Sequence, residues 1–245
     1  MSTMFLNTLV KSEKICYNSQ YMKKEGIYMT EEVKNLLEDY MAAAANLYGI
    51  IPLWKFLEIY NSQNEPVTES EFREFVENLD TKDKYYDFVG QENIDENAPE
   101  TEMMNKEIVA EYLYMEDWDE YKAVKELQKM ADYYIPKKER FLRYKDDFFY
   151  EKALEFIDVR AFLRNLPYMS KEEADGIAED TLFLLQIDNE NDITSAVQNA
   201  IRLGLKDSDK AKLKEFCELV MELNDNVRKN CYLGHTRKEV FGDIF

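Results

Sequence analysis

The residue types that most often carry metal-dependent or nucleophilic chemistry are scarce in this sequence. His235 is the single histidine, and the three cysteines are Cys16, Cys217 and Cys231. One imidazole cannot supply a histidine-rich metal site, so we predict that His235 occupies a turn beside a helix cap. Cys217 falls within an apolar helical stripe, which favours a small core residue over a nucleophile. These residues predict neither a metal centre nor a nucleophilic enzyme.

The stretch from Asp188 to Thr194 resembles the start of a calcium-binding loop, because acidic residues stand at its first, third and fifth positions. The pattern then fails, since the sixth position is Ile193 rather than glycine and the twelfth is Asn199 rather than glutamate. The glycine-rich motifs that bind phosphate are also missing from a sequence with seven glycines. We predict a solvated loop between helices here and no cofactor for the chain.

Carboxylates and tyrosines are the remaining groups that could perform acid–base chemistry. One such site would combine Glu111, Asp117, Tyr121 and Tyr133. Nothing in their spacing holds two of these groups against each other. An enzyme with a carboxylate and tyrosine site is therefore the least favoured interpretation.

Acidic charge is concentrated in one part of the chain, whose total net charge is −19. Residues 65–120 contain 19 acidic and 4 basic residues, a net charge of −15. This stretch is not expected to bind nucleic acid directly, because contacts to phosphates require lysine and arginine. The acidic residues predicted to bind a partner are Glu92, Asp95, Glu96, Glu100, Glu102, Glu116, Asp117, Asp119 and Glu120.

An acidic face of this kind attracts basic partners over long range. Our first interpretation is a non-catalytic helical protein-interaction module of bacterial or phage origin, whose protein partner presents a basic surface. The alternative is an inhibitor that imitates the nucleic-acid backbone and occupies a DNA- or RNA-binding protein such as a nuclease. The sequence leaves the oligomeric state open.

The elements that would position these residues are predicted to be helices. Glycine and proline are scarce, with 7 and 5 residues, which disfavours a turn-rich sandwich or barrel. We predict an all-α multi-helix bundle with one minor β-hairpin near residues 84–95. The residues predicted to cap helices are Thr30, Thr68 with Glu71, Ser170 with Glu173, and Thr236 with Glu239.

The secondary structure of three segments is predicted in more detail. Pro52 is predicted to occupy the first turn of a helix, and a helical pattern resumes at Asn105, where Ile108 and Val109 begin an apolar stripe. A further helix is expected to end before Pro136, because proline pushes the preceding residue out of helical geometry.

The segment from Tyr133 to Phe156 is unusually rich in aromatic residues. We predict a short helix, a turn, and a second helix from about Phe148 to Asn165. The side chains expected to wedge between neighbouring helices are Phe141, Leu142, Phe148, Phe149 and Tyr150. Large buried rings of this kind usually belong to a core rather than to a recognition surface.

The chain is predicted to comprise an N-terminal segment, residues 1–29, a helical domain, residues 30–165, that contains the acidic stretch, and a C-terminal helical subdomain, residues 166–245, packed on the first. No stretch has the apolar length of a membrane span, and the N-terminus lacks the pattern of a secretory signal. The sparse, unpaired cysteines indicate a reducing compartment. We therefore expect a soluble, cytoplasmic protein.

Three phrases, LYGIIPLWKFLEIYN, YYIPKKERFLRYKDDFFYEKA and LNDNVRKNCYLGHTRKEVF, resemble the helical region of Firmicutes proteins that carry a C-terminal SEC-C zinc motif. They occur here in the same order, at Leu47–Asn61, Tyr133–Ala153 and Leu223–Phe241. The cysteine-rich motif itself does not follow the third phrase, and Thr236-Arg237 stands where the family tends to have Thr-Pro. The resemblance implies a helical fold, whereas the zinc of such relatives and a reaction are not implied for this chain.

Overall fold

The computed structural model describes residues 29–146, 149–151, 153–187 and 193–242. Within these ranges the chain is mainly helical and contains one small antiparallel sheet, which confirms the predicted fold class. The longer helices are α1 (Glu31–Tyr48), α2 (Leu53–Gln63), α3 (Glu69–Asn78), α5 (Asp119–Leu127), α7 (Leu154–Arg164), α8 (Lys171–Ile187), α9 (Thr194–Arg202) and α10 (Lys210–Asn226). The short ones are α4 (Gln91–Ile94), α6 (Lys138–Phe141) and α11 (Arg237–Phe241), and the strands are β1 (Ile50–Pro52), β2 (Tyr86–Val89) and β3 (Glu107–Ala110).

Local capping fixes where several of these helices begin. The side chain of Thr68 accepts a hydrogen bond from the backbone N–H of Glu71, and the carboxylate of Glu71 accepts one from the backbone N–H of Thr68. Thr236 and Glu239 begin α11 by the same exchange. Ser170 exchanges equivalent hydrogen bonds with Glu173 at the start of α8. Each exchange satisfies backbone N–H groups that a first helical turn leaves free. The predicted capping pairs are confirmed.

The sheet departs from the predicted hairpin. Strand order is β1-β3-β2, and both pairings are antiparallel, with Val109 opposite Ile50 and Asp87. Strand β2 lies within the expected range, but its partner β3 occupies a segment that we predicted to be helical. All four residues of β3 are buried, and an apolar run that short does not distinguish a central strand from a helical face. Pro52 likewise ends β1 instead of lying within the first turn of α2.

Two hydrophobic cores organise the described chain. The first is built from α1, α2, α3, the sheet and the segment around α6, and the second from α7, α8, α9 and α10. Helix α7, which we assigned to the first helical domain, contributes Phe156 and Val159 to the second core. Cys231 and Tyr232, which we assigned to the C-terminal subdomain, pack in the first core. The chain thus crosses between the cores near residue 150 and again after α10.

The aromatic segment packs largely as predicted. Phe141 and Tyr144 are fully buried, and the Phe141 ring stacks on Tyr40 of α1 with ring centroids 5.1 Å apart. Phe149 is partly buried against the first core and Tyr150 against the second. Phe148 lies outside the described residues, as do Cys16 and most of the acidic loop after Ile187.

One helix boundary agrees with the prediction and another differs. Helix α5 continues only as a 3-10 turn, Gln128–Met130, and therefore ends before Pro136 as predicted, since residues 131–137 have no helical conformation. Helix α7 begins at Leu154 rather than near residue 148. Across the described residues, no helix combines the length and the apolar character needed to cross a membrane.

Candidate partner-binding site

The nine acidic residues predicted to bind a partner form two groups along the chain. Glu92, Asp95, Glu96, Glu100 and Glu102 lie in α4 and in the loop that leads into β3, and Glu116, Asp117, Asp119 and Glu120 lie between the turn after β3 and the first turn of α5. Glu92 is half-buried and the other eight are exposed. Eight of the nine carboxylates are therefore accessible from solvent.

Several of these carboxylates have structural contacts. Glu92 pairs with Lys106 at 2.8 Å and accepts a hydrogen bond from the backbone of Thr101, and these contacts lower its pKa to about 2. Glu102 pairs with Arg73, and Asp119 pairs with Lys122 at 3.1 Å. By contrast, Glu96, Glu100 and Glu116 have no ion pair within the described part of the chain.

The four residues considered for acid–base chemistry do not form one site. Tyr121 donates a hydrogen bond of 2.6 Å to Glu107, which also pairs with Lys125. Burial, and then the charge of Glu107, raises the pKa of Tyr121 and of Tyr133. Both phenols are therefore neutral at physiological pH, and the buried Glu107 is balanced by a lysine.

Glu107 was not predicted as a functional residue, although a lone acid inside the apolar run of β3 is an available signal. Glu111 and Asp117 are exposed, and neither takes part in the contacts of Glu107 with Tyr121 and Lys125. Across the described ranges, no group of three or more histidine, cysteine or carboxylate side chains is placed to hold a metal ion.

His235 lies in the turn before α11, in agreement with the prediction. Its Nδ1 is 3.3 Å from a carboxylate oxygen of Glu239, and its ring contacts Tyr134 edge to face. Cys217 is half-buried in α10, and its neighbour Phe216 is fully buried in the second core.

An apolar pocket lies where the two cores meet. Its walls come from the C-terminal end of α1, from Tyr85 just before β2, from the end of β3 with the 3-10 turn Glu111–Leu113 and Met115, and from the last turns of α8. The residues that line this pocket are Ala45, Asn46, Tyr85, Ala110, Glu111, Tyr112, Met115, Phe183 and Ile187. Its volume is about 180 Å³, and it is open to solvent.

Two large apolar side chains at this pocket are exposed. Met115 is 69% exposed and Phe183 is 43% exposed. Glu111 is the one charged residue among the described lining residues, while Glu116 and Asp117 directly follow Met115. The pocket therefore combines an accessible apolar surface with acidic surroundings.

Phe183 also borders a second, larger cleft of about 960 Å³. Its wall is mostly charged and includes Glu179 and Asp180, which lie one turn before Phe183 on α8, together with Arg140 and Glu151, which pair with each other. Phe183 therefore borders both the apolar pocket and a polar cleft.

Asn46 holds the walls of the pocket together. Its side-chain amide donates hydrogen bonds of 3.0 Å to the carbonyls of Tyr144 and Asp146, and its side-chain oxygen accepts one of 3.0 Å from Gln186 on α8. The backbone carbonyl of Asn46 accepts a further bond of 2.7 Å from Asn230. One side chain of α1 therefore links both cores at the base of the pocket.

The segment that follows α10 completes this junction. Lys229 is fully buried, and its ammonium group donates to the carbonyl of Leu185 near the end of α8 at 2.7 Å. A cation in this position compensates the carbonyl groups that the last turn of a helix leaves free. Tyr134 donates from its backbone to Leu233, while its carbonyl accepts from the Tyr48 hydroxyl. All three phrases that carry the family resemblance meet here.

Comparison of this chain with protein-family models, with curated proteins and with solved structures finds no match. The resemblance to the helical region of SEC-C proteins therefore stays a prediction. The apolar pocket was not predicted either, and the only local signal is that Met115 directly precedes the acidic residues Glu116 and Asp117.

Proposed function

We propose that this chain is a non-catalytic protein-interaction module that binds a basic partner protein through the apolar pocket. The observation that carries the proposal is the exposure of Met115 and Phe183 at a pocket whose surroundings are acidic. Large exposed apolar side chains rimmed by polar residues mark interaction surfaces more often than they mark ordinary surface. A pocket that can receive an anchoring side chain is a common centre of binding energy.

The charge of the chain supports a basic partner. A net charge of −15 over residues 65–120 attracts cationic surfaces, and the attraction weakens as salt screens it. Exposed carboxylates that have no ion pair with any described residue, such as Glu96 and Glu116, remain available for this attraction. The proposal places the module in the cytoplasm of a bacterium or of a phage-infected cell, because the cysteine pattern suits a reducing compartment.

Imitation of nucleic acid is the weaker candidate. A mimic needs free carboxylates in a row, whereas Glu92, Glu102 and Asp119 are engaged with lysine or arginine side chains. An apolar pocket also has no counterpart in a phosphate backbone. The two candidates differ in which substitutions abolish binding.

The test is affinity capture of partners from a bacterial lysate by the full chain, at low and at high salt. The Met115→Ser, Phe183→Ser double variant removes the apolar surface, and Met221→Ser is its matched control, because Met221 is 51% exposed on α10 outside the pocket lining. We expect the double variant to lose a basic protein that wild type and Met221→Ser both capture.

A second variant separates the candidates. Glu96→Gln with Glu100→Gln neutralises two exposed carboxylates and leaves the pocket unchanged. Capture of a nucleic-acid-binding protein that depends on these carboxylates, and that survives the loss of Met115 and Phe183, would select the mimic and overturn our proposal.

A further inference from the structure

We infer that the apolar pocket receives one large apolar side chain whose neighbouring lysine or arginine pairs with Glu111. This inference rests on the proposed function and specifies the element of the partner that is recognised. The occupant is therefore a basic protein segment with one apolar anchor.

The size of the pocket limits the occupant to a single side chain. Its volume is about 180 Å³, and a protein cavity of about 150 Å³ is known to hold one benzene molecule. A ring or a branched aliphatic group fills such a space, whereas a folded element does not enter it. The exposed Met115 and Phe183 would then close over the anchor and lose contact with water.

The lining also decides the chemistry of the anchor. The amide of Asn46 is engaged by backbone carbonyls and by Gln186. The Tyr85 hydroxyl donates to the carbonyl of Lys145 at 3.1 Å, and the Tyr112 hydroxyl is buried beside Gly49. An occupant of the pocket therefore contacts mainly carbon atoms, because the amide and the two hydroxyls are bonded or buried away from the open space.

The charge at the edge of the pocket determines which residue of the partner lies next to the anchor. The Glu111 side chain is exposed at the edge of the pocket and has no ion pair among the described residues. The lysines nearest to the Tyr85 wall are occupied, because Lys84 pairs with Glu38 at 2.7 Å and Lys145 pairs with Asp39 at 2.7 Å. A cation next to the anchor meets a free carboxylate, whereas an anion there is repelled.

Two small probes with the same ring and opposite charge test this inference on the full chain. The probes are 2-phenylethylamine and 3-phenylpropionate, and binding is read from the methyl resonances of ¹³C-labelled methionines. Met115 is assigned by its loss in Met115→Leu, and Met221 serves as the reference methyl outside the pocket. We expect the amine to shift the Met115 resonance and to bind about fivefold more tightly than the carboxylate, the size of one exposed ion pair.

Glu111→Gln supplies the decisive comparison. It should reduce the preference for the amine to below about twofold, because it removes the charge of the one charged residue among the described lining residues while the uncharged amide leaves the ring contacts in place. Equal binding of both probes to wild type would overturn the inference, as would shifts at Met221 without shifts at Met115. A Met115 resonance that moves with protein concentration and ignores both probes would instead identify a second copy of this chain as the occupant, and would also overturn it.

Failure here is distinguishable from failure of the proposed function. If the two probes bind equally while partner capture still requires Met115 and Phe183, the interaction function stands and the cationic anchor is wrong. If the probes discriminate as expected but no captured protein depends on the pocket, the recognition chemistry stands and the interaction function is wrong.

Discussion

Substitution of Gly234 by alanine should destabilise the protein strongly, because two separate costs fall on this residue. Its φ angle is +82°, in the region that residues with a side chain rarely adopt. A Cβ placed there would lie 3.0 Å from Cδ1 and 3.1 Å from Cγ of Leu47, a fully packed residue of α1. The turn before α11 can therefore approach α1 this closely only with glycine.

The magnitude follows from the two contributions. Left-handed backbone costs about 1–2 kcal/mol for a residue with a Cβ, and overpacking a core costs about 1–3 kcal/mol. Alanine also lowers the conformational entropy of the unfolded chain, and this stabilising effect offsets about 0.4–1 kcal/mol of the cost. We expect Gly234→Ala to lower the free energy of unfolding by about 3 kcal/mol, a large share of the ~5–15 kcal/mol typical of a domain.

Urea denaturation of the full chain measures this change, and Gly242→Ala is the matched control. Gly242 has a φ angle of +73°, but a Cβ there would meet no heavy atom within 4 Å. The control should therefore show only a backbone cost, about 1–3 kcal/mol, because its ψ angle of −171° also lies in a region that residues with a side chain rarely adopt. A loss for Gly234→Ala below about 1 kcal/mol would refute the steric argument.

A double-mutant cycle isolates the contact further. Leu47→Ala removes the atoms that the new Cβ would meet, so Gly234→Ala should cost less in the Leu47→Ala background than in wild type. Additive losses would contradict a direct clash between these two residues.

Three further predictions concern the pocket and the acidic stretch. Asn46→Ala should lower the free energy of unfolding in urea by about 2–3 kcal/mol. It removes two amide protons that are shared among the carbonyls of Tyr144, Asp146 and Phe149, and an oxygen that accepts from Gln186, and each bonded proton is worth about 1 kcal/mol. A loss below about 0.5 kcal/mol would contradict its role in joining the cores. Tyr112→Phe should leave stability in urea unchanged or raise it by up to about 1 kcal/mol, because the buried hydroxyl has no hydrogen-bond partner among the described residues; a clear loss would show that the hydroxyl is bonded. For Glu92, the folded-state pKa of about 2 lies below the ordinary 4.5, so its carboxylate stabilises the fold above pH 4.5 and this contribution is lost as the pH falls through about 2. Glu92→Gln should therefore lower stability at pH 7 and weaken the loss of stability between pH 4.5 and 2, as measured by urea unfolding at several pH values; parallel pH profiles for variant and wild type would contradict the pairing with Lys106.

The candidate site divides into a part that sequence reasoning reached and a part that it missed. Local sequence placed acidic residues such as Glu96 and Glu116 at the surface, because runs of charge are rarely buried. The pocket beside them combines Asn46, Met115 and Phe183, which are far apart in the chain. No spacing pattern relates such residues, so only the tertiary structure brings the end of α1, the segment after β3 and the end of α8 together.

The sequence by itself determined where many helices begin, that aromatic residues such as Phe141 fill a core, and that negative charge gathers in residues 65–120. These features depend on neighbours a few residues away, or on composition, and no distant contact is needed to establish them. Only the tertiary structure decided that Ile108 and Val109 form a central strand, since strand pairing with β1 and β2 supplies their hydrogen bonds from distant segments. Tertiary packing also decided that the chain after α10 packs in the first core and that Lys229 is buried against α8. The contacts that stabilise this arrangement join residues far apart in the sequence.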